Sequence, residues 1–69
     1  MNEDILAGKW KQLRGEVQKR WGQLTDDELD QIEGSQTKLI GKLQERYGYT
    51  VEKARAEVNE FLTDYDRTY

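Results

Sequence analysis

The chain is 69 residues long, 36% charged, with a net charge of −3 and an acidic pI near 4.9. This length allows one domain whose core supplies only a few kcal/mol, and the negative balance opposes unspecific attraction to nucleic acid or anionic lipid. Cysteine and histidine are both absent, which excludes disulfides, thiolate and imidazole nucleophile systems and ordinary zinc sites.

From the N-terminus, Asn2 is placed to cap a helix, with Glu3 and Asp4 in the first turn where the helix dipole favours carboxylates. Leu6, Trp10, Leu13, Val17 and Trp21 then recur at spacings of four, three, four and four, one apolar stripe on a single long helix. Gly22 fits a left-handed C-terminal stop, with Arg20 in the last turn. Thr25 and Glu28 have capping-box spacing and open a short helix carrying Leu29 and Ile32, which ends near Gly34. A second long helix presents Leu39, Ile40, Leu43 and Tyr47 on one face and stops at Gly48. Thr50 caps a last helix with Ala54, Val58, Phe61, Leu62 and Tyr65 on a common face, and the end from Asp66 to Tyr69 is expected to fray.

Two of these stretches repeat. At an offset of 26, Gly8–Gly22 and Gly34–Gly48 agree at Gly8/Gly34, Leu13/Leu39, Gly15/Gly41, Gln18/Gln44, Arg20/Arg46 and Gly22/Gly48, with Val17/Leu43 and Trp21/Tyr47 conservative. All six glycines lie inside the pattern, so the chain reads as one helical unit written twice, with halves at about 8–33 and 34–59. No proline and no strand alternation appear. The expectation is an all-α domain of four to five short helices, grouped as two helical hairpins that pack face against face with approximate two-fold symmetry.

Candidate functional residues are weighed against packing. Trp10, Trp21 and Tyr47 lie on the apolar stripes, where aromatic rings belong to the core with the polar edge reaching water or a carbonyl. Gly15 and Gly41 sit inside helices, where glycine costs about 1 kcal/mol relative to alanine. A close backbone contact or a local bend is the first explanation, and a smooth strip formed by Gly8, Gly15 and Gly22 for another chain is the second. Asp26, Asp27, Glu28, Asp30 and Glu33 form an acidic cluster without the ligand order of a calcium loop, and capping explains it. Lys9, Lys11, Arg14, Lys19 and Arg20 make the first long helix basic, but at about 100° per residue they scatter on both flanks of the stripe and Glu16 interrupts them. Ser35 is the single serine and has no base to activate it. No catalytic, cofactor-binding or metal-binding residue is assigned, and no cofactor is expected. The acidic start and the lack of any apolar run near 18 residues give a soluble cytoplasmic protein as the expectation.

The segments Trp10-Lys11-Gln12-Leu13-Arg14-Gly15, Trp21-Gly22-Gln23-Leu24-Thr25-Asp26-Asp27, Glu33-Gly34 and Gly41-Lys42-Leu43-Gln44-Glu45-Arg46-Tyr47-Gly48 resemble the CsbD-like family of small bacterial proteins. The resemblance covers nearly the whole chain. It implies two roughly perpendicular hairpins in an arrangement like the sterile-alpha-motif domain, and a cytoplasmic protein of the general stress response. The family defines no catalytic or ligand residues to carry over. The polar composition is also similar to that of hydrophilins, proteins tied to osmotic and drying stress. Two functions therefore stand: a non-enzymatic protective stress protein, or a module that docks another protein, or in second place nucleic acid, through the basic first helix or the glycine strip; a homodimer is left open.

Overall fold

The computed structural model describes the backbone of residues 3–68 and the side chains of residues 6–65. Within it the chain forms α1 (Glu3–Gly8), α2 (Trp10–Arg20), α3 (Asp26–Ile32), α4 (Gln36–Tyr47) and α5 (Val51–Thr68). The described residues are all helix and connection, as the periodicity requires. The predicted caps are largely in place. The Thr25 hydroxyl accepts the Glu28 N–H at 3.2 Å while the Glu28 carboxylate accepts the Thr25 N–H at 3.0 Å, completing the capping box of α3. The Lys53 N–H reaches Thr50 Oγ1 at 3.1 Å at the start of α5. Gly48 closes α4 at φ +69°, a left-handed conformation that glycine adopts without steric cost.

Four expectations require correction, and one falls on Asn2, which lies outside the described residues. The single long first helix is two, because Lys9 leaves helical geometry (φ −121°, ψ 26°) between α1 and α2. The break folds α1 back so that Leu6 is fully buried and Ala7 lies against Gly34. Gly22 is no left-handed stop. Trp21 ends α2 at φ −122°, and the chain turns through a Leu24 N–H to Trp21 carbonyl bond of 3.1 Å, so no positive φ is needed there. At the C-terminus α5 continues through Thr68 instead of fraying from Asp66, its backbone ladder unbroken by glycine or proline. Finally, the close-contact explanation of Gly15 and Gly41 fails, as described below.

The core is one cluster drawn from every helix: Leu6, Leu13, Val17, Trp21, Leu24, Leu29, Ile32, Leu39, Leu43, Ala54, Val58, Phe61 and Leu62. All but Leu24, in the α2–α3 connection, are predicted stripe residues, while Trp10, Ile40, Tyr47 and Tyr65 of the stripes pack half-buried against the cluster. α4 packs along α5, and α3 lies against α4. A radius of gyration of 10.8 Å agrees with the value of about 11 Å for a folded chain of this length. The arginines of the repeat cross between its copies. Arg20, at the end of α2, pairs with Glu60 and Asp64 on α5, and Arg46, at the end of α4, pairs with Glu28 on α3. Each long helix thus ties its C-terminal cation to the second helix of the other copy.

Candidate functional site

Two places concentrate interacting polar groups, and both grow from the repeat. The first surrounds Glu28. Being the third residue of α3, its carboxylate folds back on the Thr25 N–H (3.0 Å) and hydroxyl (3.3 Å), while its other oxygen accepts Arg46 Nε at 2.7 Å. It is the one buried charged residue among the described side chains. The Thr25 N–H and then the guanidinium of Arg46 hold the Glu28 carboxyl below the ordinary glutamate value of 4.5, outweighing burial, which acts in the opposite direction. A carboxylate so engaged is a structural clamp between α3 and α4. Its hydrogen-bonding capacity is directed at protein partners.

The second place is a shallow open groove between α3 and α4, with Asp30 and Glu33 on one side, Lys38, Lys42 and Glu45 on the other, and Gly41 between them. Lys42 and Glu45 approach to 3.8 Å. Charges of both signs line it, so the groove does not present a field of one sign.

The structure separates the residues that the sequence singles out. Trp21 is buried, its ring tilted against Phe61 at 5.4 Å between centroids, with the Arg20 guanidinium 5.6 Å from its face. Tyr47 is half-buried, stacks on Tyr49 at 5.3 Å and accepts the Gln23 N–H at 3.2 Å. Both follow the core reading. Trp10 follows it only in part: it packs half-buried against the core, but its indole N–H is buried and finds no acceptor among the described residues. The carbonyl expected at that edge is therefore not among its neighbours within hydrogen-bond reach.

The acidic cluster is dispersed. Asp30 pairs with Arg14 at 2.8 Å, Glu28 is clamped, Glu33 ends α3 in a left-handed conformation (φ 49°), and Asp26 accepts a long 3.4 Å bond from Gln18. Among the described residues no three carboxylates converge. The basic residues disperse too, with Arg14 and Arg20 in ion pairs to α3 and α5, Lys19 3.7 Å from Glu16, and Lys9 6.0 Å from the Tyr65 ring centre. Gly15 and Gly41 have open space where a Cβ would stand, with no atom within 4 Å beyond their own helix. No packing contact accounts for either glycine.

Three features escaped the sequence reading. Ser35 is the N-cap of α4, accepting the Lys38 N–H at 3.3 Å, and its place three residues before a helical face was the available signal. The Glu28–Arg46 clamp was signalled only by the repetition of arginine at 20 and 46. Gly34 is more than the end of a helix: it is buried at φ +85°, and a Cβ there would stand 2.7 Å from Ala7 Cα, 3.2 Å from the Leu6 carbonyl oxygen and 3.3 Å from Ala7 N. It is the socket of α1.

Comparison with known proteins gives one consistent result. The CsbD-like family profile matches residues 4–56. A UPF0337 protein of Bordetella pertussis is 59% identical over 62 residues, covering 90% of this chain and 94% of the relative. A UPF0337 protein of Pseudomonas aeruginosa is 54% identical over 61 residues, covering 88% and 94%. The UPF0337 protein YjbJ of Escherichia coli K12 is 49% identical over 63 residues, covering 91% of each. No solved structure matches the chain. With the profile spanning α1 to the start of α5 and relatives this similar along nearly their full length, the chain belongs to the CsbD-like family.

Proposed function

We propose that this is a non-enzymatic stress-response protein of the cytoplasm, whose folded and strongly hydrated surface protects other macromolecules when water is withdrawn. The observation that carries the reading is the partition of side chains. Thirteen apolar residues are consumed by one core, and Val51, at 37% exposure, is the single large hydrophobic exposed among the described residues. What remains outside among the described residues is mainly charge of both signs, part of it paired at close range as in Arg14–Asp30 and Arg20–Glu60. Such a surface retains water and associates weakly, as a protectant must. Among the described residues no helix is long and apolar enough to cross a membrane.

The test is to dry a labile enzyme with stoichiometric amounts of the purified protein and measure activity after rehydration. Recovery well above that given by an inert protein of equal size supports the reading, and equal recovery removes it. A second reading, an interaction module, draws on Gly15 and Gly41, whose cost to their helices no internal contact explains. It predicts saturable binding of a protein partner that Gly15→Ala or Gly41→Ala abolishes while the fold is retained.

A further inference from the structure

The junction between α1 and α2 carries an inference that does not depend on the protective reading. The apolar stripe Leu6, Trp10, Leu13, Val17, Trp21 keeps helical period through Lys9, so the stripe suits one continuous helix over 3–20 even though Gly8 beside the break costs that helix about 1 kcal/mol. The folded chain instead breaks that helix at one residue. No side chain caps α2, and the Lys9 carbonyl alone receives the N–H groups of Gln12 (3.0 Å) and Leu13 (2.8 Å). Beside the break the Trp10 indole N–H is buried without an acceptor. What holds α1 back is its seat on Gly34, where Leu6 is fully buried and the backbone of Leu6 and Ala7 comes so near that a Cβ on residue 34 would stand 2.7 Å from Ala7 Cα. Tertiary contact therefore opposes local helix preference at a single-residue hinge, the arrangement from which elements exchange between identical chains.

We propose that α1 is exchangeable: straightening at Lys9 joins α1 and α2 into one helix and delivers Leu6 and Ala7 to the Gly34 seat of a second copy, giving a reciprocal, two-fold dimer. The partner is a second copy because the seat recognises backbone at Leu6–Ala7 together with one buried leucine, and the same segment of another copy satisfies it without new contacts. In dilute solution the tethered α1 wins, since a short connection gives an effective concentration in the millimolar range. Loss of water raises the protein concentration toward that range and shifts the balance to the dimer.

The experiment compares Lys9→Ala with Lys9→Gly. In the closed chain Lys9 is exposed and non-helical, and both variants lose its contact with the Tyr65 ring equally. Only the joined helix distinguishes them: glycine is less favourable there by about 1 kcal/mol per chain, so two chains shift the dimer dissociation constant about 30-fold. Each protein is unfolded and refolded at millimolar concentration, then sized by light scattering against the monomer mass of 8.2 kDa. The expected result is a species of twice that mass, about 30-fold more stable for Lys9→Ala. No dimer at any concentration, or a dimer indifferent to Lys9→Ala against Lys9→Gly, would each overturn the exchange.

Discussion

Replacing Gly34 by alanine probes the seat of α1 through two separable effects. An L-residue at φ +85° carries backbone strain of about 1–2 kcal/mol. Its Cβ would also stand 2.7 Å from Ala7 Cα and 3.2 Å from the Leu6 oxygen, against about 3.5–4.0 Å for carbon atoms in contact. Both neighbours are backbone, so no rotamer relieves the overlap and α1 must lift as a unit. Lifting uncovers Leu6, whose full burial is worth about 1.5–3 kcal/mol. Together these give about 2.5–5 kcal/mol, comparable with all that a domain of this size possesses. Gly48→Ala isolates the first effect, since Gly48 has φ +69° but open space around it, and should cost only about 1–2 kcal/mol. Gly41→Ala has neither strain nor neighbour and should gain about 1 kcal/mol, or about 4–8 °C in Tm. The assay is urea unfolding followed by far-ultraviolet circular dichroism and tryptophan fluorescence. If Gly34→Ala falls within 1 kcal/mol of Gly48→Ala, the close approach of α1 contributes nothing and the reasoning fails.

Further predictions follow from the polar contacts. Arg46→Met leaves the buried Glu28 carboxylate without its cation and should cost about 1–2 kcal/mol, the modest size reflecting an arginine that is itself 46% exposed; an unchanged urea midpoint would contradict the clamp. Because the folded Glu28 carboxyl lies below the ordinary 4.5, its contribution is present above that value and is lost as the pH falls through the lower folded value. Glu28→Gln should flatten that part of the acid unfolding curve, and a curve of unchanged slope would exclude Glu28 as its source. Trp10→Phe removes the unpartnered indole N–H while keeping a ring on the core, so thermal unfolding should shift little or upward, whereas a loss above about 2 kcal/mol would show that the N–H is engaged. Ser35→Ala should cost about 1 kcal/mol through the lost cap of α4, and a neutral result by differential scanning calorimetry would remove that role.

What could be read from sequence was local. Thr25, Glu28, Thr50 and Gly48 act within their own turns, and each appears in the structure as its spacing indicates. The stripes also named the core, because a face that is apolar at helical period has to be buried somewhere. The repeat carried the sequence reading less far. Gly22 and Gly48 occupy matched positions, but only Gly48 turns left-handed, since the chain leaves α2 through an ordinary turn at Trp21–Leu24 and leaves α4 through a reversal. Gly8 and Gly34 also match, yet one ends α1 in open space and the other receives it. The break at Lys9 was signalled only by Gly8 beside it, because the apolar period continues through the junction and the contact with residue 34 that goes with the break lies far along the chain. The same holds for Glu28, where a capping residue visible in sequence acquires burial and an arginine partner only when α3 meets α4.

The central claim, that protection resides in the hydrated exterior of an intact fold, is tested most directly by altering that exterior alone. Lys11, Glu52 and Arg55 are exposed and take no part in the clamp or the core, so replacing all three by alanine removes charge while circular dichroism confirms that the helices persist. Measured as enzyme activity recovered after drying, the account predicts that the wild-type protein protects and that the alanine variant, equally folded, protects less. Equal recovery with both proteins, or with an inert protein of the same size, would contradict it.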